Sequence, residues 1–167
     1  MKRPFYLLIL IAIFLVITSC ETQKKAAQLA EEKRILTEKI ESGKFTFNAN
    51  YVIPMGNFRP RYLTSSYHVK VTRDTVYSHL PYFGVAYEAP WNPSESPLVF
   101  TSTDFNYAVT AGNKPGILLV EVRMNDIRRQ LRYLFTIWEN GKGDLVVWDT
   151  SRQAISFRGE VDMPLTP

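Results

Sequence analysis

The residues best suited to chemistry are few. The chain has two histidines, His68 and His79, and one cysteine, Cys20. The histidines flank Arg73-Asp74, a turn dipeptide, so a regular hairpin there brings the imidazoles close together. A two-histidine metal site still needs a third ligand and an open coordination position. Glu88 and Asp74 could serve as that ligand, but neither stands at motif spacing. Ser65 and Ser66 lie beside His68 without a Gly-x-Ser-x-Gly turn to activate a hydroxyl. Glu139, Asp144 and Asp149 gather around Asn140-Gly141, where acidic side chains usually just keep a turn hydrated; a glycosidase would need two of them placed across one bond. No Gly-rich phosphate loop occurs. The expectation is no catalytic residue, no metal site and no cofactor.

Charge excludes one partner class. Lys and Arg outnumber Asp and Glu by a net +4 over the chain. That surplus is too small for a nucleic-acid surface, which needs a dense basic patch. The cluster Arg123, Arg128, Arg129 and Arg132 is the sole candidate, and it reads as a solvated turn with its flanks. With one cysteine, no internal disulfide can form.

The lone thiol has a chemistry of its own. Lys2 and Arg3 precede an apolar run of about 13 residues, 5–17. As a helix that run spans roughly 20 Å, short of a ~30 Å hydrocarbon core, so it reads as the core of a signal peptide. Ile17-Thr18-Ser19-Cys20 follows at once and resembles the lipobox of bacterial lipoproteins. The resemblance implies a diacylglycerol thioether on Cys20, cleavage before it and acylation of the new terminus. Removal of Lys2 and Arg3 would lower the net charge to +2. Glu21 is not the Asp that retains some lipoproteins at the inner membrane, and no acidic run follows Cys20. The expected location is therefore the outer membrane, facing the periplasm.

The remaining chain must supply a fold. Residues 21–42 lack Pro and Gly, and Leu29, Leu36 and Ile40 recur at helical spacing. Gly43 is a natural stop. The spacing predicts a helix over 25–42 with a narrow apolar stripe, serving as a stalk or lying along a sheet. From Lys44 the period becomes 2. Phe45, Phe47, Ala49, Tyr51 and Ile53 alternate with polar residues, as do Tyr67, Val69 and Val71, then Val76, Ser78 and Leu80. Residues 81–97 hold four prolines and read as a long loop. Alternation returns at Phe105–Val109, Leu118–Met124, Leu131–Ile137, Leu145–Val147 and Ile155–Val161. Asn140-Gly141 predicts a hairpin with positive φ at both residues. Short turns favour antiparallel neighbours. The predicted fold is mainly β: a curved antiparallel sheet or incomplete barrel of about eight strands with one N-terminal α-helix, a β-sandwich being the alternative. The expected organisation is a lipoprotein signal peptide over 1–19, a lipidated cysteine and helical stalk over 20–43, and one β-domain over 44–167.

Three stretches resemble a family of bacterial lipoproteins, domain of unknown function 4251. They are Asn50-Tyr51-Val52-Ile53-Pro54-Met55 with Tyr62-Leu63-Thr64-Ser65; Val76-Tyr77-Ser78-His79-Leu80-Pro81-Tyr82-Phe83-Gly84 with Ala86-Tyr87; and Phe135-Thr136-Ile137 with Asn140-Gly141 and Arg152-Gln153-Ala154-Ile155-Ser156-Phe157-Arg158-Gly159. The resemblance implies a lipoprotein with one β-rich domain and transfers no functional residue. Two function classes stay open. One is a non-enzymatic envelope protein, anchored to the membrane by acyl chains on Cys20, that binds another envelope protein or an apolar ligand. The other is a hydrolase acting on envelope or imported polymers. Long ordered loops often carry function, so the candidate binding residues are Tyr82, Phe83, Tyr87 and Trp91. The competing structural role for these rings is to cover one open end of the sheet.

Overall fold

The computed structural model describes residues 25–88, 96–127 and 129–162. Cys20 and Trp91 lie outside them, as do residues 1–19, the expected signal peptide. The helix α1 occupies residues 25–41. Nine strands follow: β1 (Phe45–Pro54), β2 (Arg61–Val71), β3 (Val76–His79), β4 (Val99–Ser102), β5 (Phe105–Ala111), β6 (Ile117–Met124), β7 (Leu131–Trp138), β8 (Lys142–Asp149) and β9 (Ile155–Val161). They form one antiparallel sheet in the order β4-β3-β2-β1-β9-β8-β7-β6-β5.

That order makes the sheet curl. β4 and β5 are its two edges and run in the same direction, yet only Thr103 and Asp104 separate them. The edges must therefore meet, giving a nearly closed barrel. One extended stretch serves both sides of the seam, β4 pairing with β3 and β5 with β6. Counted around the barrel, the nine strands thus do the work of the roughly eight expected. Asp126 pins the junction: its carboxylate accepts from Ser102 Oγ at 2.6 Å, Thr103 N at 2.8 Å and Asp104 N at 3.3 Å. The Ser102 hydrogen bond leads in holding the Asp126 carboxyl below its usual range.

The interior is filled by side chains at alternate positions. Tyr133, Phe47, Phe135 and Phe157 are fully buried, with Val120, Val122, Leu145 and Ile155 among them. Phe135 meets Phe45 and Phe47 edge to face at 5.5 Å, a favoured arrangement for aromatic quadrupoles. The alternation in β1 departs from the expected one. Ala49 opposes Gly159 and Tyr51 opposes Arg158, so Asn50 is an extra, bulged residue. Such a bulge reverses which side chains face inward. Phe45, Phe47 and Ala49 point into the core, but beyond the bulge Val52 and Pro54 take over, leaving Tyr51 and Ile53 half-buried. The β7–β8 hairpin also differs. Gly141 has φ 78° and Asn140 is not left-handed, while Gly141 N donates to Trp138 O. This is a type I turn closed by a left-handed glycine, the usual geometry of a three-residue hairpin loop.

β4 escaped the sequence reading because it is four residues long and buries only Ser102 completely. The compact β-unit also begins earlier than Lys44, at Leu36. Leu36 and Ile40 are buried in the same cluster as the barrel core, and the Tyr107 hydroxyl donates to Ile40 O. Leu29 is 51% exposed. Burying Leu36 and Ile40 stabilises by about 2–3 kcal/mol each, a large share of a domain's typical ~5–15 kcal/mol. A chain beginning at Lys44 is therefore expected to be about 5 kcal/mol less stable than one beginning at Leu36. Urea unfolding followed by circular dichroism measures the difference, and equal midpoints would show that α1 contributes nothing to the core.

Candidate functional site

One end of the barrel gathers most of the polar chemistry. Here β1 ends and β9 begins, Pro54 opposing Ile155, and here β7 begins opposite the end of β8, Leu131 opposing Asp149. Residues 80–88 cross this end and pair with the β8–β9 connection. Val85 O accepts from Gln153 N at 3.0 Å, Ala86 bridges Arg152, and Tyr87 N donates to Ser151 O at 2.8 Å. Gln153 Oε1 accepts from Val85 N. Tyr82 folds beneath this ribbon, its hydroxyl 3.0 Å from both Val85 O and Gln153 O. Gly84 makes that fold-back feasible, since a Cβ there would lie 2.6 Å from the Tyr82 hydroxyl oxygen. Burial, the largest cause, raises the Tyr82 phenol above its ordinary range.

Below the ribbon lies a buried charge cluster. The Asp149 side chain is 2% exposed, and its Oδ2 stands 2.6 Å from Arg129 Nε and 3.6 Å from Arg152 Nε. Oδ1 accepts from Ser151 N at 2.9 Å and Ser151 Oγ at 2.8 Å. The Arg129 Nε–H is not directed along its contact, so charge rather than hydrogen-bond geometry holds that pair. Arg129 also donates to Pro97 O. Deeper still, Ser78 Oγ donates to Leu98 O at 2.7 Å and so accepts from the Tyr133 hydroxyl at 2.8 Å. Burial pushes the Tyr133 phenol well above its ordinary range. These contacts tie β3, β7 and β8 to residues 97–98. Expected to be a hydrated turn residue, Asp149 is instead the inward-facing end of β8, continuing the alternation of Leu145 and Val147. Arg129, expected in a solvated turn, is its counter-ion.

The four candidate binding residues divide. Tyr82 and Phe83 are half-buried against the core, and the Arg61 guanidinium sits 4.1 Å from the Phe83 ring centroid. Tyr87 is 66% exposed. Trp91 lies outside the described residues. The histidines do oppose each other across β2 and β3, with ring centroids 5.8 Å apart. Tyr77 flanks His68 at 5.6 Å and Tyr67 flanks His79 at 5.5 Å. Among the described residues no group of three or more His, Cys, Asp or Glu side chains gathers as a metal site.

A second feature joins Arg123 and Arg132, expected in a solvated turn and its flanks, to Trp148, which sequence reasoning does not single out. On the outer face of the barrel, cross-strand pairing lines up Asn106, Arg123, Arg132 and Trp148 on β5 to β8. Trp148 is 48% exposed, with the Arg132 guanidinium 5.8 Å from its ring. A groove of about 570 Å³ runs here, lined also by Asn125, Gln130 and Thr150. Glu121 pairs with Arg123 at 2.5 Å and with Arg132 at 3.6 Å. The signal was available as outward positions of four paired strands, but pairing order is not written in any single strand.

The geometry defines an antiparallel barrel with a packed interior, one end of which is latched by residues 80–88. The family model for the domain of unknown function DUF4251 matches residues 27–161, and the chain belongs to that family. Its fold is similar to the crystal structure of a DUF4251 family protein from Bacteroides eggerthii, at 13% identity and a TM-score of 0.54, over 80% of this chain and 89% of the other. No curated protein matches the chain.

Proposed function

We propose that the chain is a lipid-tethered, non-enzymatic binding protein of the bacterial cell envelope. The observation that carries the non-enzymatic part is the state of Asp149. A general base or nucleophile needs an oxygen that can reach a substrate proton or carbon. Both Asp149 oxygens face other protein groups, Ser151 on one side and two guanidiniums on the other. The polar groups that converge therefore hold the end of the barrel shut. Aromatic side chains fill the interior, so a ligand is met on the outside, at the exposed rings of the rim and outer face. Tyr87 and Trp148 are such rings.

Ile17-Thr18-Ser19-Cys20 supports the tether. Each buried acyl CH₂ is worth ~0.8 kcal/mol, and two or three chains hold a protein on a bilayer almost permanently. In this reading the barrel stands on the outer membrane and faces the periplasm. Replacing Cys20 with Ser is expected to release the chain to the soluble fraction or leave it as an unprocessed precursor. Detergent-phase partitioning of the variant measures this. A processed Cys20→Ser chain that still partitions fully into detergent would overturn the tether.

A further inference from the structure

The outer groove on β6 to β8 has the composition of a ligand site, and we infer that it binds an acidic saccharide, stacked on Trp148 and held by Arg132 and Arg123. The inference deepens the binding reading by naming the place and the ligand class. Three observations carry it. First, Trp148 leaves almost half of its surface open on the outer face of the barrel. An open indole offers a rigid apolar plane with a polar edge, which suits a partner that is part apolar and part hydrogen-bonding. A sugar ring is such a partner, with C–H bonds on its faces and hydroxyls around its rim. Second, the groove beside the ring is lined by Asn125, Gln130 and Thr150. Gln130 and Thr150 donate and accept neutral hydrogen bonds, as hydroxyls require, while Asn125 is already held by Asp104 and Asn106.

Third, the charge is unbalanced in one direction. Arg123 and Arg132 stand directly opposite each other, and Glu121 is the carboxylate that both approach. Glu121 lies close to Arg123 but at 3.6 Å from Arg132, which is 43% exposed. The carboxylate that lines the groove, Asp149, is turned inward and paired with Arg129 and Arg152. Arg132 therefore retains a planar fork that a ligand carboxylate or sulfate can engage with two parallel hydrogen bonds. Nucleic acid fits less well, because two arginines beside one carboxylate track too little backbone.

The test is calorimetric titration of the full-length, detergent-solubilised protein with tetragalacturonate, its methyl ester and maltotetraose. The acid is expected to bind, to weaken as salt rises, and to bind at least about tenfold more tightly than either neutral probe. Trp148→Ala and Arg132→Gln should each lower affinity at least about tenfold without shifting the melting temperature. Trp148→Phe, which keeps a ring, should retain most of it. Absence of tetragalacturonate binding, or binding untouched by these variants, overturns the proposal. Equal binding of maltotetraose, lost in Trp148→Ala, overturns the acidic class but leaves a binding groove standing. Failure of the tether would appear separately, in membrane fractionation.

Discussion

Gly159→Ala is expected to destabilise the barrel by about 3 kcal/mol or more, at the upper end of what overpacking costs. Gly159 sits on β9 opposite Ala49, beside the bulge at Asn50. A Cβ on Gly159 would lie 1.9 Å from the Asn48 carbonyl oxygen and 3.0 Å from Ala49 Cα. Both obstacles are backbone, so no side-chain rotation relieves them. The two strands would have to separate or the bulge would have to move, and moving it would turn Val52 and Pro54 out of the core. Gly143→Ala is the control. Its Cβ would meet the Phe47 ring at 3.2 Å and Thr136 O at 3.3 Å, contacts that small shifts can ease. Denaturant midpoints should rank wild type above Gly143→Ala and Gly143→Ala well above Gly159→Ala. A Gly159→Ala protein as stable as wild type would mean that the bulge is not where the register places it.

Asp149→Ala is expected to cost about 3–5 kcal/mol, the range found when one member of a buried charge group is removed. The loss would leave Arg129 and Arg152 facing each other without an anion, and Ser151 without its acceptor. Because Tyr87 N bonds to Ser151 O and Ala86 pairs with Arg152, the ribbon over this end should loosen first. Limited proteolysis should cut within residues 80–88 before the barrel unfolds. Urea denaturation of the variant gives the magnitude. Unchanged stability and protease resistance would show that Asp149 is not a latch and would return it to consideration as a chemical group.

Much of the barrel was legible because burial enforces a period of two. Leu118, Val120, Val122 and Met124 in β6, and Leu131, Tyr133, Phe135 and Ile137 in β7, face inward as their alternation requires. What was not legible depends on pairing between distant residues. The bulge at Asn50 exists because Gly159, more than a hundred positions later, leaves room for it. Asp149 looked like a hairpin acid until β8 was seen to carry it inward to meet Arg129. The stretches that resemble the family owe their character to packing: Gly84 accommodates Tyr82, Gln153 pairs with Val85, and Gly159 admits the Asn48 carbonyl. Each of these contacts helps hold the fold together. Of the candidate binding rings, Tyr82 and Phe83 are engaged in closing the barrel, which their apolar type alone could not distinguish from ligand contact.

The proposed tether through Cys20 is tested most directly by the intact mass of the mature protein. Protein extracted from membranes should begin at Cys20 and weigh more than its polypeptide by a diacylglyceryl group, with a further acyl chain where the terminus is acylated. A chain that begins at Met1, or one that begins at Cys20 with its thiol and amine unmodified, would contradict it.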